Sequence, residues 1–337
     1  MITIAKKYAE EIKQVCQAAA SRASIQAFEN IYIHADESGT VKLKAGDSMI
    51  EITRFIAADK FESGFETTVN APKFLQAFNA CSGDVQIIVK DKMTIKSGKR
   101  RFTLPIISAE SYPAYPEMDD AQKIECDGFI ETVKQSAWAA GKNDVRYVIN
   151  GVYISKDAVG TNGHKMAVTP IGLDCEIILP IETINKIPAI DGDIYISDSV
   201  MAIKSKDVEF KTKLIDGRYP DYKRVIPTCD KTASVDLDEF KSAVKAAQIT
   251  ASSQFKTIVM SFGSECSISA TSSDKREDSS IGFECDCSDA FEFAVNSSYL
   301  LEALNELTLP NVELQFSYGM MMIEEAGKKL IICSVRL

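Results

Sequence analysis

Gly83-Asp84-Val85-Gln86-Ile87-Ile88-Val89-Lys90-Asp91-Lys92-Met93-Thr94-Ile95-Lys96-Ser97 is the stretch on which the reading of this chain turns, because it comes back. Its outline returns as Gly192-Asp193-Ile194 through Met201, Ile203, Lys204 and Ser205. A looser third copy runs from Asn311-Val312 to Met321 and Ile323. Gly83 to Gly192 is a shift of 109 residues, and a third of the 337-residue chain is about as long. Other landmarks keep the same period. Tyr112-Pro113-Ala114-Tyr115 reappears as Tyr219-Pro220-Asp221-Tyr222. An aromatic residue, a β-branched residue four positions on and a lysine directly after it occur at Tyr8/Ile12/Lys13, Phe129/Val133/Lys134 and Phe240/Val244/Lys245. A period this long describes three domains, each with its own core, and not a solenoid.

Within each third the periodicities run in one order. An amphipathic helix opens it, at about 5–20, 128–141 and 237–251, with Ile12 and Val15, Val133 and Ala137, Val244 and Ala247 on the apolar faces. Alternating strands follow, then a second helix at about 71–81, 180–188 and 296–307, with Asn70 and Asn296 in N-cap positions. A hairpin closes the unit: 85–97 into 100–106, 194–204 into 208–215, 312–324 into 328–335. The expected fold class is α+β, with domains at 1–121, 122–230 and 231–337. Helix, strands, helix, strands is itself a doubled motif inside each domain.

With 45% hydrophobic residues the chain has ample core material, yet no run of 18 apolar residues spans a membrane. The first residues lack the apolar segment of a secretory signal, which points to the cytoplasm. Nine cysteines at irregular spacing, with only Cys285 and Cys287 close together and no C-x-x-C, read as reduced thiols. Enzymatic and cofactor signatures are missing from the sequence. There is no G-x-x-x-x-G-K-[ST], no G-x-G-x-x-G and no G-x-S-x-G. The two histidines, His34 and His164, form no zinc-binding spacing. The expectation is a binding protein without catalytic residues, cofactor or metal. A net charge of −10 argues against gripping nucleic acid by bulk charge.

Three fragments carry a resemblance. They are Asp144-Val145-Arg146-Tyr147-Val148-Ile149-Asn150-Gly151, Thr161-Asn162-Gly163-His164-Lys165-Met166-Ala167-Val168 and Asp216-Gly217-Arg218-Tyr219-Pro220-Asp221-Tyr222-Lys223-Arg224-Val225-Ile226-Pro227. They resemble signature stretches of the bacterial DNA polymerase III β subunit family, the replication sliding clamps. Ser97-Gly98-Lys99-Arg100-Arg101-Phe102-Thr103-Leu104-Pro105 and the terminal Arg336-Leu337 are similar to that family too.

The resemblance implies three DNA-clamp domains per chain, forming half of a closed ring, a head-to-tail homodimer around double-stranded DNA. Such a ring is a processivity factor for the replicative DNA polymerase, opened by a clamp loader that uses ATP. The alternative is a protein-binding repeat scaffold that never encircles DNA, and a third possibility is a hydrolase built around His164. A ring only has to avoid repelling DNA, so the negative charge is no obstacle. The six helix spans balance Lys6, Lys7, Lys13, Lys73, Lys134, Lys186, Lys241 and Lys245 against as many carboxylates.

Site residues follow from the resemblance, position by position. DNA contacts are expected at Arg22, Lys142, Asn143, Arg146 and Tyr147, with Lys13, Lys134 and Lys245 equivalent in the three repeats. A pocket for short linear peptides of polymerase, loader and other clamp-binding-motif proteins is expected from Ile149, Thr161, Gly163, His164, Lys165, Met166, Pro220, Arg224, Val225, Asn296, Tyr299, Ile331, Cys333, Ser334 and Val335. The family usually has arginine where Lys165 stands and a Met-Pro-Met tail where Cys333-Ser334-Val335 stands, which implies a smaller, more polar floor. The dimer interface is expected to bring Arg100, Arg101, Phe102 and Leu104 of one protomer against Ile249, Thr250, Glu277 and Asp278 of the other.

Overall fold

A computed structural model describes residues 1–287 and 289–335; the Arg336-Leu337 pair lies outside the described residues. Six helices recur in pairs: α1 (Ala9–Ala18) and α2 (Ala71–Ala80), α3 (Phe129–Ala137) and α4 (Ile181–Ile184), α5 (Leu237–Gln248) and α6 (Ser297–Asn305). Members of each pair pack side by side. Ile12 and Val15, Val133 and Ala137, Val244 and Ala247 are all buried, as the 3.6-residue periodicity requires. Asn70 caps α2 by accepting from the Lys73 amide at 3.2 Å, and Asn296 caps α6 by accepting from the Ser298 and Tyr299 amides.

Two expectations change in detail. The helix expected over 180–188 is a single turn, Ile181–Ile184. Pro188 pushes Ile187 out of the helical region, so the turn cannot be prolonged to it. The closing hairpins are three-stranded meanders: Val85–Val89, Lys92–Ser97 and Arg100–Pro105 in the first third, Asp193–Ile196, Val200–Lys204 and Val208–Lys213 in the second, Asn311–Ser317, Met320–Glu325 and Lys328–Cys333 in the last. Lys90-Asp91, Asp198-Ser199 and Tyr318-Gly319 supply the additional turns; Gly319 has φ +83°.

The described chain forms two compact units, Met1–Cys126 with Asn185–Leu214 and Asp127–Ile184 with Ile215–Leu337. Strand pairing explains why the middle third is divided. In the first unit, Val208–Lys213 hydrogen-bonds to Ile50–Ala57, placing Phe210 opposite Ile52 in an eight-stranded sheet. In the second, Lys328–Cys333 hydrogen-bonds to Lys165–Pro170, placing Leu330 opposite Ala167 in a nine-stranded sheet. The two junctions are equivalent down to single hydrogen bonds. The Lys213 amide donates to the Met49 carbonyl at 2.9 Å, and the Cys333 amide donates to the His164 carbonyl at 2.8 Å. The five-stranded sheet of the first unit ends on Arg100–Pro105, and the four-stranded sheet of the second ends on Asp278–Phe283.

The reading of all cysteines as reduced thiols is corrected at one place. Cys266 and Cys285 are joined by a disulfide, because the fold brings the strand Cys266–Thr271 beside Cys285–Cys287. No helix among the described residues is long and apolar enough to cross a membrane.

Candidate functional site

The turn between strands Asp157–Thr161 and Lys165–Pro170 is built by its own side chains. Asn162 Oδ1 accepts from the amides of His164 and Lys165 at 2.9 and 3.0 Å. Thr161 Oγ1 accepts from the Gly163 amide and donates to the Lys165 carbonyl. Gly163 stands at φ +87°, a backbone conformation that favours glycine, and a Cβ there would press on the Arg146 guanidinium at 3.0 Å.

Beside this turn the Tyr-Pro-x-Tyr segment lies on the sheet. The Tyr219 ring stacks on Tyr153 at 5.0 Å, and its hydroxyl donates to the Val159 carbonyl. The Tyr222 hydroxyl donates to the Asp157 carboxylate at 2.7 Å. Burial pushes both phenols up from their ordinary range, so they stay protonated donors. The ends of Lys328–Cys333 and Met320–Glu325 complete the enclosure.

Together these elements bound a pocket of about 250 Å³ within the second unit. Ten of the residues named for it from the sequence line it: Ile149, Thr161, Gly163, His164, Lys165, Met166, Pro220, Val225, Ile331 and Cys333. Arg146, Tyr219, Asp221, Tyr222 and Met320 line it as well. Tyr219 and Tyr222 carried a signal in the repeated Tyr-Pro-x-Tyr, but one that marked the repeat; nothing in the sequence singled out Met320.

The other five named residues lie elsewhere. Arg224 pairs with Asp221 at 2.8 Å and is largely exposed. Asn296 is held as the α6 cap and donates to the Phe255 carbonyl at 2.9 Å. Tyr299 stands behind the pocket, its ring nearly parallel to His164 at 6.5 Å. Ser334 and Val335 line a separate cavity of about 420 Å³ with Phe291, Phe316 and Tyr318.

The floor is not the more polar one the tail suggested. The Lys165 side chain is only 7% exposed and its ammonium is bonded away from the pocket. It donates to the Trp138 carbonyl at 2.7 Å, pairs with Glu302, and lies over the Trp138 and Tyr299 rings. What remains facing the cavity is mainly Ile149, Met166, Val225, Met320, Ile331 and the two tyrosine rings.

Arg146, expected on DNA, belongs to the rim of this pocket. Its guanidinium grips Asp144 with two hydrogen bonds of 3.0 and 2.9 Å and donates to the Asn162 carbonyl. That grip holds the Asp144 carboxyl down at about 2.

The first unit contains the counterpart of this place. Tyr112 packs against Tyr32, tilted by 52°, where Tyr219 stacks on Tyr153. Glu51 stands where Met166 stands, Lys211 opposite it where Ile331 stands, and Lys213 in place of Cys333. Lys44 reaches Glu51 at 3.7 Å and lies between the Tyr32 and Tyr112 rings, so charge occupies what is open and apolar in the second unit.

The remaining residues named for DNA lie on the surface. Arg22, Lys142, Asn143, Lys134 and Lys245 are exposed, Tyr147 is 59% exposed, and Lys13 pairs with Glu10 at 3.1 Å. Asn143 turns the chain after α3 at φ +57°. Of the dimer residues, Arg100, Arg101, Glu277 and Asp278 are exposed, Phe102, Leu104 and Thr250 are half-buried, and Ile249 is 81% exposed.

Models of the DNA polymerase III beta subunit match the chain three times in succession: the N-terminal domain over residues 1–116, the central domain over 123–221 and the C-terminal domain over 223–331. The chain belongs to the DNA polymerase III beta subunit family.

It is 27% identical to the beta sliding clamp of Vibrio cholerae over 336 residues, covering 91% of this chain and 90% of that one. It is also 27% identical to the beta sliding clamp of Escherichia coli K12 over 346 residues, covering 94% and 93%. The same fold is seen in the sliding clamp of Caulobacter crescentus (TM-score 0.91, 21% identity, 100% and 99% of the two chains). The clamp of Bacillus subtilis is similar, at TM-score 0.90 and 23% identity, with 100% and 99% covered. Membership makes the protein a DNA sliding clamp, a processivity factor of replication and not an enzyme, and sets aside both the hydrolase and the non-encircling scaffold.

Proposed function

We propose that two copies of this chain, each with domains over 1–121, 122–230 and 231–337, close head to tail into a six-domain ring around double-stranded DNA. One observation carries the reading. Two of the three meanders end on a strand that the preceding domain receives: Val208–Lys213 by Ile50–Ala57, and Lys328–Cys333 by Lys165–Pro170. The third donor, Arg100–Pro105, and the third acceptor, Asp278–Phe283, are both outer strands of their sheets. An open donor and an open acceptor on one chain are satisfied by a second copy, and two such contacts close the ring.

The repeat also supports a register. Phe102 occupies the place of Phe210 and Leu330, and Ser279 that of Ile52 and Ala167, so Phe102 lies opposite Ser279 of the second copy. Thr250 hydrogen-bonds Ser279 at 2.7 Å, which brings the exposed Ile249 beside Phe102 and Leu104. Asp278 then stands opposite Thr103 and Glu277 opposite Leu104, which leaves Arg101 diagonal to Asp278 on the same face, within reach of a long side chain.

DNA passes through the hole past Arg22, Lys142 and the lysines Lys13, Lys134 and Lys245, through loose contacts that ignore sequence. Asn143, Arg146 and Tyr147 join these contacts from the adjoining loop, and Arg146 also lines the peptide pocket. The pocket takes an aliphatic or aromatic anchor from short peptides of the replicative polymerase, the clamp loader and other partners in the cytoplasm.

Retention on DNA tests the ring. With a clamp loader and ATP, the protein stays on nicked circular DNA through gel filtration and is released when the circle is cut. Equal retention on linear and circular DNA would overturn it.

A further inference from the structure

Outside the pocket lining, three sulfurs meet in the second unit. Cys266 begins the strand Cys266–Thr271 and is buried. Cys285 and Cys287 are two residues apart on the strand Cys285–Cys287, both half-buried, with Asp286 exposed between them. Alternation along a strand puts Cys285 and Cys287 on one face. The sulfurs of all three lie within 4.8 Å of one another. Cys266 is bonded to Cys285, and Cys287 Sγ lies 3.6 Å from the Gly263 carbonyl, the same carbonyl that Cys266 Sγ approaches at 3.7 Å.

We propose that Cys266, Cys285 and Cys287 form a thiol–disulfide exchange site that reacts with low-molecular-weight disulfides, in which Cys266 pairs alternately with Cys285 and Cys287. Cys285 and Cys287 are the accessible pair, so one of their thiolates attacks the small disulfide, forming a mixed disulfide and releasing one small thiolate. The Cys266 thiolate attacks that protein sulfur and releases the second small thiolate. The protein thereby loses two electrons and two protons, and the small disulfide is reduced to two thiols. A transfer inside the cluster follows without any oxidant. The Cys287 thiolate attacks Cys266 Sγ, the bond to Cys285 breaks, and Cys285 leaves as thiolate. Two sulfurs on one strand face give Cys266 a second partner within 4.8 Å of the bonded one.

The bond closes a 19-residue separation that contains the whole hairpin from Cys266–Thr271 to Asp278–Phe283. It ties the foot of that hairpin to the last strand of the nine-stranded sheet, since Cys285–Cys287 pairs there with Lys231–Asp236.

The full-length protein, reduced and then equilibrated with glutathione disulfide, tests the site by alkylation and peptide mapping. The wild type is expected to lose two alkylatable thiols per chain and to yield both the 266–285 and the 266–287 linkage. Cys285→Ser and Cys287→Ser each still lose two thiols to an internal disulfide, through the remaining partner, whereas Cys266→Ser stops at the mixed disulfide with glutathione and forms no internal bond. Circular dichroism confirms that each variant is folded. Failure of Cys285→Ser to form an internal disulfide, or an internal disulfide between Cys285 and Cys287 in Cys266→Ser, overturns the proposal. So does uptake of one Zn²⁺ per chain by the reduced protein with protection of all three thiols, which would make the cluster a metal site.

Discussion

The Lys165 ammonium donates to the Trp138 carbonyl at 2.7 Å, at the end of a helix whose last residues would otherwise leave that oxygen unmatched. Lys165 thus supports the pocket from behind. Replacing Lys165 with methionine keeps the length of the side chain and removes the donor. The urea midpoint should fall by the equivalent of about 1–3 kcal/mol, as expected when a buried acceptor loses its partner. An unchanged midpoint would mean that water replaces the ammonium there.

Met166 and Ile331 face each other across paired strands and supply the apolar floor. A leucine or phenylalanine anchor buried on them contributes about 1.5–3 kcal/mol. Met166→Ala should therefore weaken a fluorescein-labelled peptide from the tail of the polymerase by about 10-fold in anisotropy titrations. Dimerisation, measured on the same sample by sedimentation, should not change. Deleting 332–337 is the poorer experiment, because Ile332 is fully buried and paired with Lys165.

The proposed register places Arg101 opposite Ser280 of the second copy, at the solvent-facing edge of each sheet. Arg101→Cys combined with Ser280→Cys should give a covalent dimer under mild oxidation, with two bonds per ring. Neither single substitution should do so. Phe102→Ala should weaken each interface by about 1.5–3 kcal/mol, visible as monomer at micromolar concentration.

Arg22 and Lys142 are exposed cations in the segments that follow α1 and α3. Their joint replacement by alanine should reduce the slope of log affinity against log salt by roughly 0.9 for each phosphate left without its cation. Thermal stability should remain. A slope equal to that of the wild type would remove both residues from the DNA path.

Asp144 is held at about 2 by Arg146, below the ordinary aspartate value near 3.9. A depressed folded-state value means that the stabilisation is complete above about pH 4 and fades as the pH falls towards 2. The difference in urea midpoint between wild type and Asp144→Asn should be constant above that range and shrink below it. A difference that persists at pH 2 would point to altered packing of the loop, and not to the charge.

The threefold repeat, the helices and their asparagine caps were legible because each rests on local periodicity. The meanders were less so: a two-residue turn such as Lys90-Asp91 interrupts the alternation too briefly to separate two strands. The pocket was legible only through its resemblance. Its walls come from segments far apart in the chain, and no local pattern shows that Met320 meets Tyr219. Lys165 misled for a related reason. Its charge was visible, but its direction depends on Trp138 and Glu302, which only the fold brings to it. The Cys266–Cys285 bond was hidden likewise, behind a separation of 19 residues.

The charged counterpart of the pocket in the first unit sets a number. Glu51, Met166 and Asp278 occupy equivalent hairpin positions in the three domains, and only the middle one is apolar. Of these three equivalent positions one per chain suits an apolar anchor, so under the proposed function a two-chain ring offers two such seats. Occupancy is then a matter of competition. Under that proposal a third partner competing for these seats waits until one of the first two lets go, so the order of events at the ring follows the off-rates of the seated peptides.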